Sequence, residues 1–103
     1  MQQTEIDFAP FAKAEPVFWH ALKRRGWNSV AALQRPVLDG HHIRADLEGW
    51  EAFWELPNIG PRRILALVNF LRDNGVELPW MTDWDTRSAN WTALEGRRRA
   101  EHA

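Results

Sequence analysis

The sequence has no cysteine and no tyrosine. Without cysteine there is no disulfide framework, no thiolate zinc site and no cysteine nucleophile. No apolar run approaches the length of a membrane span. The opening residues, MQQTEIDFAPF, lack the basic-then-apolar order of a secretory signal. From these absences we expect a cytoplasmic protein with no membrane partner. Neither sign of charge dominates: 13 Lys and Arg stand against 14 Asp and Glu, for a formal net charge of -1. No global basic field announces nucleic acid, so any such site must be a local patch. A Gly-rich nucleotide loop and a serine nucleophile signature are missing as well. We therefore expect no enzyme, no cofactor and no small-molecule substrate.

What is present is one small domain of 103 residues, 45% hydrophobic and 26% charged, an ordinary globular balance. The unusual residue is tryptophan, with seven: Trp19, Trp27, Trp50, Trp54, Trp80, Trp84 and Trp91. Residues this bulky belong to a core, an interface or both.

The punctuation predicts an all-α chain, a compact bundle of four to five short helices. Residues 1–14 read as a lead-in with two exposed-looking aromatics, Phe8 and Phe11. Pro16 suits a first helical turn. Val17, Phe18, Trp19, Ala21 and Leu22 follow, Lys23, Arg24 and Arg25 complement the helix dipole, and Gly26 stops the helix. Asn28 and Ser29 are N-cap residues for a short helix from Val30 to about Arg35, ended by Pro36. Asp39-Gly40 marks a turn, within a loop or a tiny hairpin, and no convincing strand pair is visible. Asp46 would cap a third helix with Leu47, Trp50, Phe53 and Trp54 on one face and Glu48, Glu51 and Glu55 on the other. Pro61 opens a fourth helix. Its buried stripe is Ile64, Leu65, Val68 and Leu71, widened by Leu67 and Phe70, and Gly75 ends it. Residues 76–81, VELPWM, read as extended. Ser88 or Asn90 offers a cap for a last helix around Trp91 and Leu94.

The most informative stretch is Leu56-Pro57-Asn58-Ile59-Gly60-Pro61-Arg62-Arg63, followed by the amphipathic helix. It looks like a helix-hairpin-helix. Gly60 would allow the bend and a close backbone approach, and Ile59 would plug the turn into the core. Free N–H groups at the start of the second helix, reinforced by Arg62 and Arg63, would form a phosphate site.

Residues 18–78 resemble the C-terminal domain of the bacterial RNA polymerase alpha subunit. Two blocks carry the resemblance. Leu22-Lys23-Arg24-Arg25-Gly26-Trp27-Asn28-Ser29-Val30-Ala31-Ala32-Leu33 is similar to that family's LKxxGIxTVxDL block. Leu56-Pro57-Asn58-Ile59-Gly60 through Gly75-Val76-Glu77-Leu78 is similar to its LPNIGxKSLxEIxxxLxxxGLxL block. The resemblance implies a domain over 15–79 that binds AT-rich DNA through the minor groove and adjacent phosphates and contacts transcription factors. Carried over by position, Gly60, Arg62 and Arg63 fall on the hairpin side, and His20 falls where the family has an asparagine. Val17 stands where the family has its key arginine, and an apolar side chain cannot enter an electronegative groove as Arg does. About a dozen residues around Asp39 to Arg44 are extra.

The expected function is a small non-enzymatic DNA-binding or transcription-associated module. Gly60, Arg62 and Arg63 would hold phosphate, with His20, Lys23, Arg24 and Arg25 at the edge, and binding would be weak, poorly sequence-specific and salt-sensitive. The alternative is a protein-interaction adaptor on the same fold, docking on polymerase or a regulator and no longer binding DNA. Plainer readings stand beside these. The turn also reads as a simple interhelical connection, and Lys23 to Arg25 as an ordinary helix C-terminus. His41 and His42 are adjacent, so their side chains diverge, and no metal site is expected. Trp80, Trp84 and Trp91 lie in an extension, 80–103, that either packs back on the domain or presents an aromatic patch to a protein partner. Arg97, Arg98 and Arg99 read as a solvated end or a phosphate-seeking tail.

Overall fold

Local signals decide where most helices start and stop. The computed structural model describes residues 6–38 and 47–89, and these are mostly helical. Helix α1 (Ala9–Ala14) occupies the segment expected to be a lead-in. The Ala9 N–H donates to Asp7 Oδ1 at 2.9 Å, and Pro10 sits in the first turn, where it displaces no helical hydrogen bond. Phe8 and Phe11 are not exposed; both are buried, because α1 packs against α2 (Pro16–Arg24).

Helix α2 opens on Pro16, as its position predicts, and ends at a left-handed Gly26. There the Trp27 N–H donates to the Leu22 carbonyl at 2.9 Å and the Gly26 N–H to the Lys23 carbonyl at 3.0 Å. These two bonds satisfy carbonyls the helix end would otherwise orphan. Helix α3 (Val30–Leu33) is capped by Ser29, whose side chain accepts from the Ala32 N–H at 3.1 Å. It stops two residues before the expected Arg35.

A short antiparallel pair follows, β1 (Val37–Leu38) with β2 (Leu47–Glu48), in the register Val37 to Glu48 and Leu38 to Leu47. The pair flanks the stretch read as a loop or a tiny hairpin, although no convincing strand pair is visible in the sequence. The Asp39-Gly40 turn, His41, His42 and the expected cap Asp46 lie outside the described residues. Because Leu47 and Glu48 are extended, the third helix begins only at Trp50, as α4 (Trp50–Trp54). Gly49 makes the change of direction, with φ 71 and its N–H donating to the Pro36 carbonyl at 2.9 Å. A Cβ on Gly49 would stand 2.9 Å from Trp80 Cβ, so both the dihedral and the space require glycine.

Helix α5 (Pro61–Asp73) matches the expected span. It closes as α2 does: the Val76 N–H donates to the Leu71 carbonyl and the Gly75 N–H to the Arg72 carbonyl, both at 2.9 Å. Ile64, Leu67, Val68 and Leu71 are buried, whereas Leu65, expected in the stripe, is 45% exposed. The buried face includes Leu67 instead, and the half-buried Phe70 meets Phe8 and Phe11 at 5.5 Å between ring centroids. Residues 79–89 form helix α6, so the expected extended stretch ends at Leu78. Pro79, at the first position, lacks only an N–H the helix does not use. The expected helix around Trp91 and the Arg97–Arg99 run fall outside the described residues.

A single hydrophobic cluster runs from Phe8 to Trp84. Phe53 is its hub, edge-on to Phe18 at 5.6 Å, to Trp27 at 5.6 Å and to Trp80 at 5.3 Å between ring centroids. Phe11 joins the N-terminal helix to this hub through Phe18, at 5.7 Å. Phe8 stacks on the half-buried Trp19 at 5.2 Å. Trp50 meets Trp84 at 5.5 Å. Trp54, expected with the core face, is instead at the surface.

Candidate nucleic-acid interface

The turn between α4 and α5 is anchored by two apolar side chains, Leu56 and Ile59, both buried. The Ile59 N–H donates to the Leu56 carbonyl at 3.2 Å. The bend itself falls on Asn58, at φ 65, and not on Gly60. Asparagine tolerates the left-handed region better than other residues with a Cβ. Gly60 is extended, at φ -121 and ψ -171, and nothing lies within 4 Å of the position a Cβ would take. The expected conformational need for Gly60 is therefore not met inside this chain. Its bare backbone faces open space at the start of α5, where the first-turn N–H groups have no helical partner.

Arg62 and Arg63 differ. Arg62 is exposed on the first turn of α5. Arg63 turns back: its Nη1 donates to the Asn58 carbonyl at 2.7 Å, and its Nε lies 3.4 Å from Glu15 Oε1, just ahead of α2. Arg63, expected as a phosphate contact, holds the left-handed turn and ties the start of α5 to the start of α2.

His20, Lys23, Arg24 and Arg25 are all exposed on α2 and its C-terminal end. The Arg25 guanidinium lies 5.9 Å from the centroid of the Trp27 ring. Arg24 and Arg25 share a hollow of about 450 Å³ with Ala21, Trp27, Val37, Leu56 and Pro57. The basic end of α2 and the first half of the turn between α4 and α5, 32 residues apart from Arg24 to Leu56, thus form one surface.

Three other described cations are paired. Arg35 pairs with Glu48 across the strand pair, and Arg87 with Asp83 at 3.7 Å. Arg72 forks between two carboxylates: Nε and Nη2 donate to Glu77 at 2.8 Å each, and Nη1 and Nη2 donate to Asp85 at 3.0 and 2.6 Å. The hydrogen bonds from Arg72 hold the Glu77 and Asp85 carboxyls below their ordinary values, and raise the guanidinium in turn. Among the described residues, Lys23, Arg24, Arg25 and Arg62 have no carboxylate partner, and neither does Lys13. Among the described residues, the unpaired positive charge thus lies mainly around the end of α2 and the start of α5.

Trp80 and Trp84, expected in a C-terminal extension, are 7% and 1% exposed. The Trp80 Nε1 donates to the Leu33 carbonyl at 2.8 Å and the Trp50 Nε1 to Asp83 Oδ2 at 2.7 Å. Neither Trp80 nor Trp84 is displayed to a partner, and Trp91 lies outside the described residues. Sequence reasoning missed the role of Asn58, although asparagine before Ile-Gly is itself a turn signal. It had no signal for the Arg63–Glu15 pair. No described helix is long and apolar enough to cross a membrane. Comparison with family models, with curated proteins and with solved structures finds no match for this chain.

Proposed function

We propose that this chain is a small non-enzymatic DNA-binding module that grips the phosphate backbone. The observation that carries the reading is the shared hollow, in which Arg24 and Arg25 meet the turn residues Leu56 and Pro57. In this reading α4, the turn and α5 act as a helix-hairpin-helix. Lys23, Arg24, Arg25 and Arg62 release counterions from phosphates. The backbone at Gly60 and the first turn of α5 takes a phosphate oxygen, since Gly60 itself has no side chain and the space a Cβ would fill is open. Arg63 acts indirectly by holding the turn, and His20 borders the surface. None of these groups reads a base edge, so binding is weak and poorly sequence-specific. The likeness of the two sequence blocks to the polymerase alpha domain supports a place beside the transcription machinery.

The test is fluorescence anisotropy with an AT-rich duplex at low and at moderate salt. Binding at low salt that weakens steeply as salt rises supports the reading. No binding at low salt removes it and favours a protein-interaction adaptor. One observation favours that second reading: Val17, 44% exposed, puts an apolar side chain on the surface near the start of α2.

A further inference from the structure

The hollow at the basic end of α2 is built of two chemistries. Its rim carries the guanidinium groups of Arg24 and Arg25, which have no carboxylate partner among the described residues. Ala21, Val37 and Pro57 give it an apolar side wall, floored by the largely buried Trp27 and Leu56. Val37 is 36% exposed, an aliphatic side chain left at the surface. The hollow, about 450 Å³, is shallow and open to solvent on one side. Phosphate alone uses only the rim. A paired and stacked duplex presents phosphates to the rim and leaves the apolar wall in contact with water. A single strand carries a charged phosphate and a flat, weakly polar base on the same nucleotide, which matches rim and wall together. The Arg25 guanidinium, already lying over Trp27, supplies a planar cation on which a base face can stack.

We propose that this hollow receives one unstacked base of a single-stranded nucleic acid while Arg24 and Arg25 hold the adjoining phosphates. The inference rests on the DNA-binding reading and adds to it a preference for single strands. An acidic peptide matches the rim but not the wall, and it serves in the test as a competitor.

The experiment uses the full chain and labelled probes of equal length: an oligothymidine strand, an abasic strand with the same phosphates, a duplex, and a poly-glutamate peptide of similar charge. The expected result is that the oligothymidine binds about fivefold or more tightly than the abasic strand, the increment of one stacked base. It should also bind more tightly than the duplex. Val37→Trp, which fills the hollow from an exposed position, should abolish the difference in affinity between the oligothymidine and the abasic strand. Equal binding of abasic and oligothymidine strands overturns the base site while leaving the phosphate reading intact. Tighter duplex binding, or a Val37→Trp variant that keeps the increment, also overturns it. Binding of poly-glutamate but of none of the nucleic acids overturns both readings. The wild-type comparison of probes decides the matter even where the variant does not fold.

Discussion

The Trp80 indole Nε1 donates to the Leu33 carbonyl at 2.8 Å, joining the end of α3 to the first turn of α6 across 47 residues of sequence. The bond accounts for a buried polar atom of a large aromatic side chain and for an acceptor at a short helix's end. Trp80→Phe keeps most of the ring packing against Phe53 and removes the donor. We expect a loss of about 1–3 kcal/mol in urea unfolding, the usual effect of leaving a buried acceptor unsatisfied. An unchanged midpoint would mean that water reaches Leu33.

Gly49 and Gly60 should respond oppositely to alanine. Gly49→Ala places a Cβ 2.9 Å from Trp80 Cβ at φ 71. It should cost at least about 1–2 kcal/mol of stability, from the left-handed dihedral alone. Gly60→Ala is extended with free space, so its stability should stay within about 0.5 kcal/mol of the parent. DNA affinity should fall all the same, if phosphate meets that backbone. Thermal melts and anisotropy on both variants make the comparison.

Arg62 and Arg63 are adjacent in sequence and separate in role. Arg62→Ala should leave the melt unchanged and lower the salt slope of DNA binding by about one phosphate's worth. Arg63→Ala removes the donor to the Asn58 carbonyl and the partner of Glu15. It should lower stability and weaken binding with little change in slope. Identical effects of the two variants would contradict the division.

In acid, the fork of Arg72 with Glu77 and Asp85 should outlast ordinary exposed carboxylates and weaken only below about pH 4. Both carboxyls are held below their ordinary values by hydrogen bonds from Arg72. Their contribution is therefore fully present above the unfolded-state carboxyl pKa of about 4 and is lost as pH falls through the lower folded-state values. Arg72→Gln should lower stability modestly at neutral pH, because exposed pairs contribute little, and should converge with the parent in acid, so that the acid side of a stability-against-pH curve is flatter. An acid limb identical to the parent's would show that the fork does not contribute.

Residues that act locally were legible. Pro16 and Pro61 mark helix starts, Gly26 and Gly75 mark helix ends, and Ser29 is a cap, because each works through its own backbone or the next turn. What depends on distant packing was not. Phe8 and Phe11 look exposed in sequence, yet they are buried against α2 and Phe70. Leu65 has the right helical spacing for the core and faces outward, since spacing defines a stripe but not its centre. The same limit applies to the candidate site. Arg24, Arg25, Arg62 and Arg63 all read as phosphate ligands. Only the tertiary structure separates the one that holds the turn from those left free, and only it brings Pro57 beside Arg24.

In the proposed function, free positive charge at the end of α2 and the start of α5 grips a phosphate backbone. The most direct test is the salt dependence of DNA affinity for the parent and for the Arg24→Ala, Arg25→Ala, Arg62→Ala triple variant, with folding checked by circular dichroism. The parent should bind, and the slope of log affinity against log salt should shrink by roughly 2–3 in the variant, about 0.7–0.9 for each phosphate no longer neutralised. Equal slopes in parent and variant, with both proteins folded and bound, would contradict that grip.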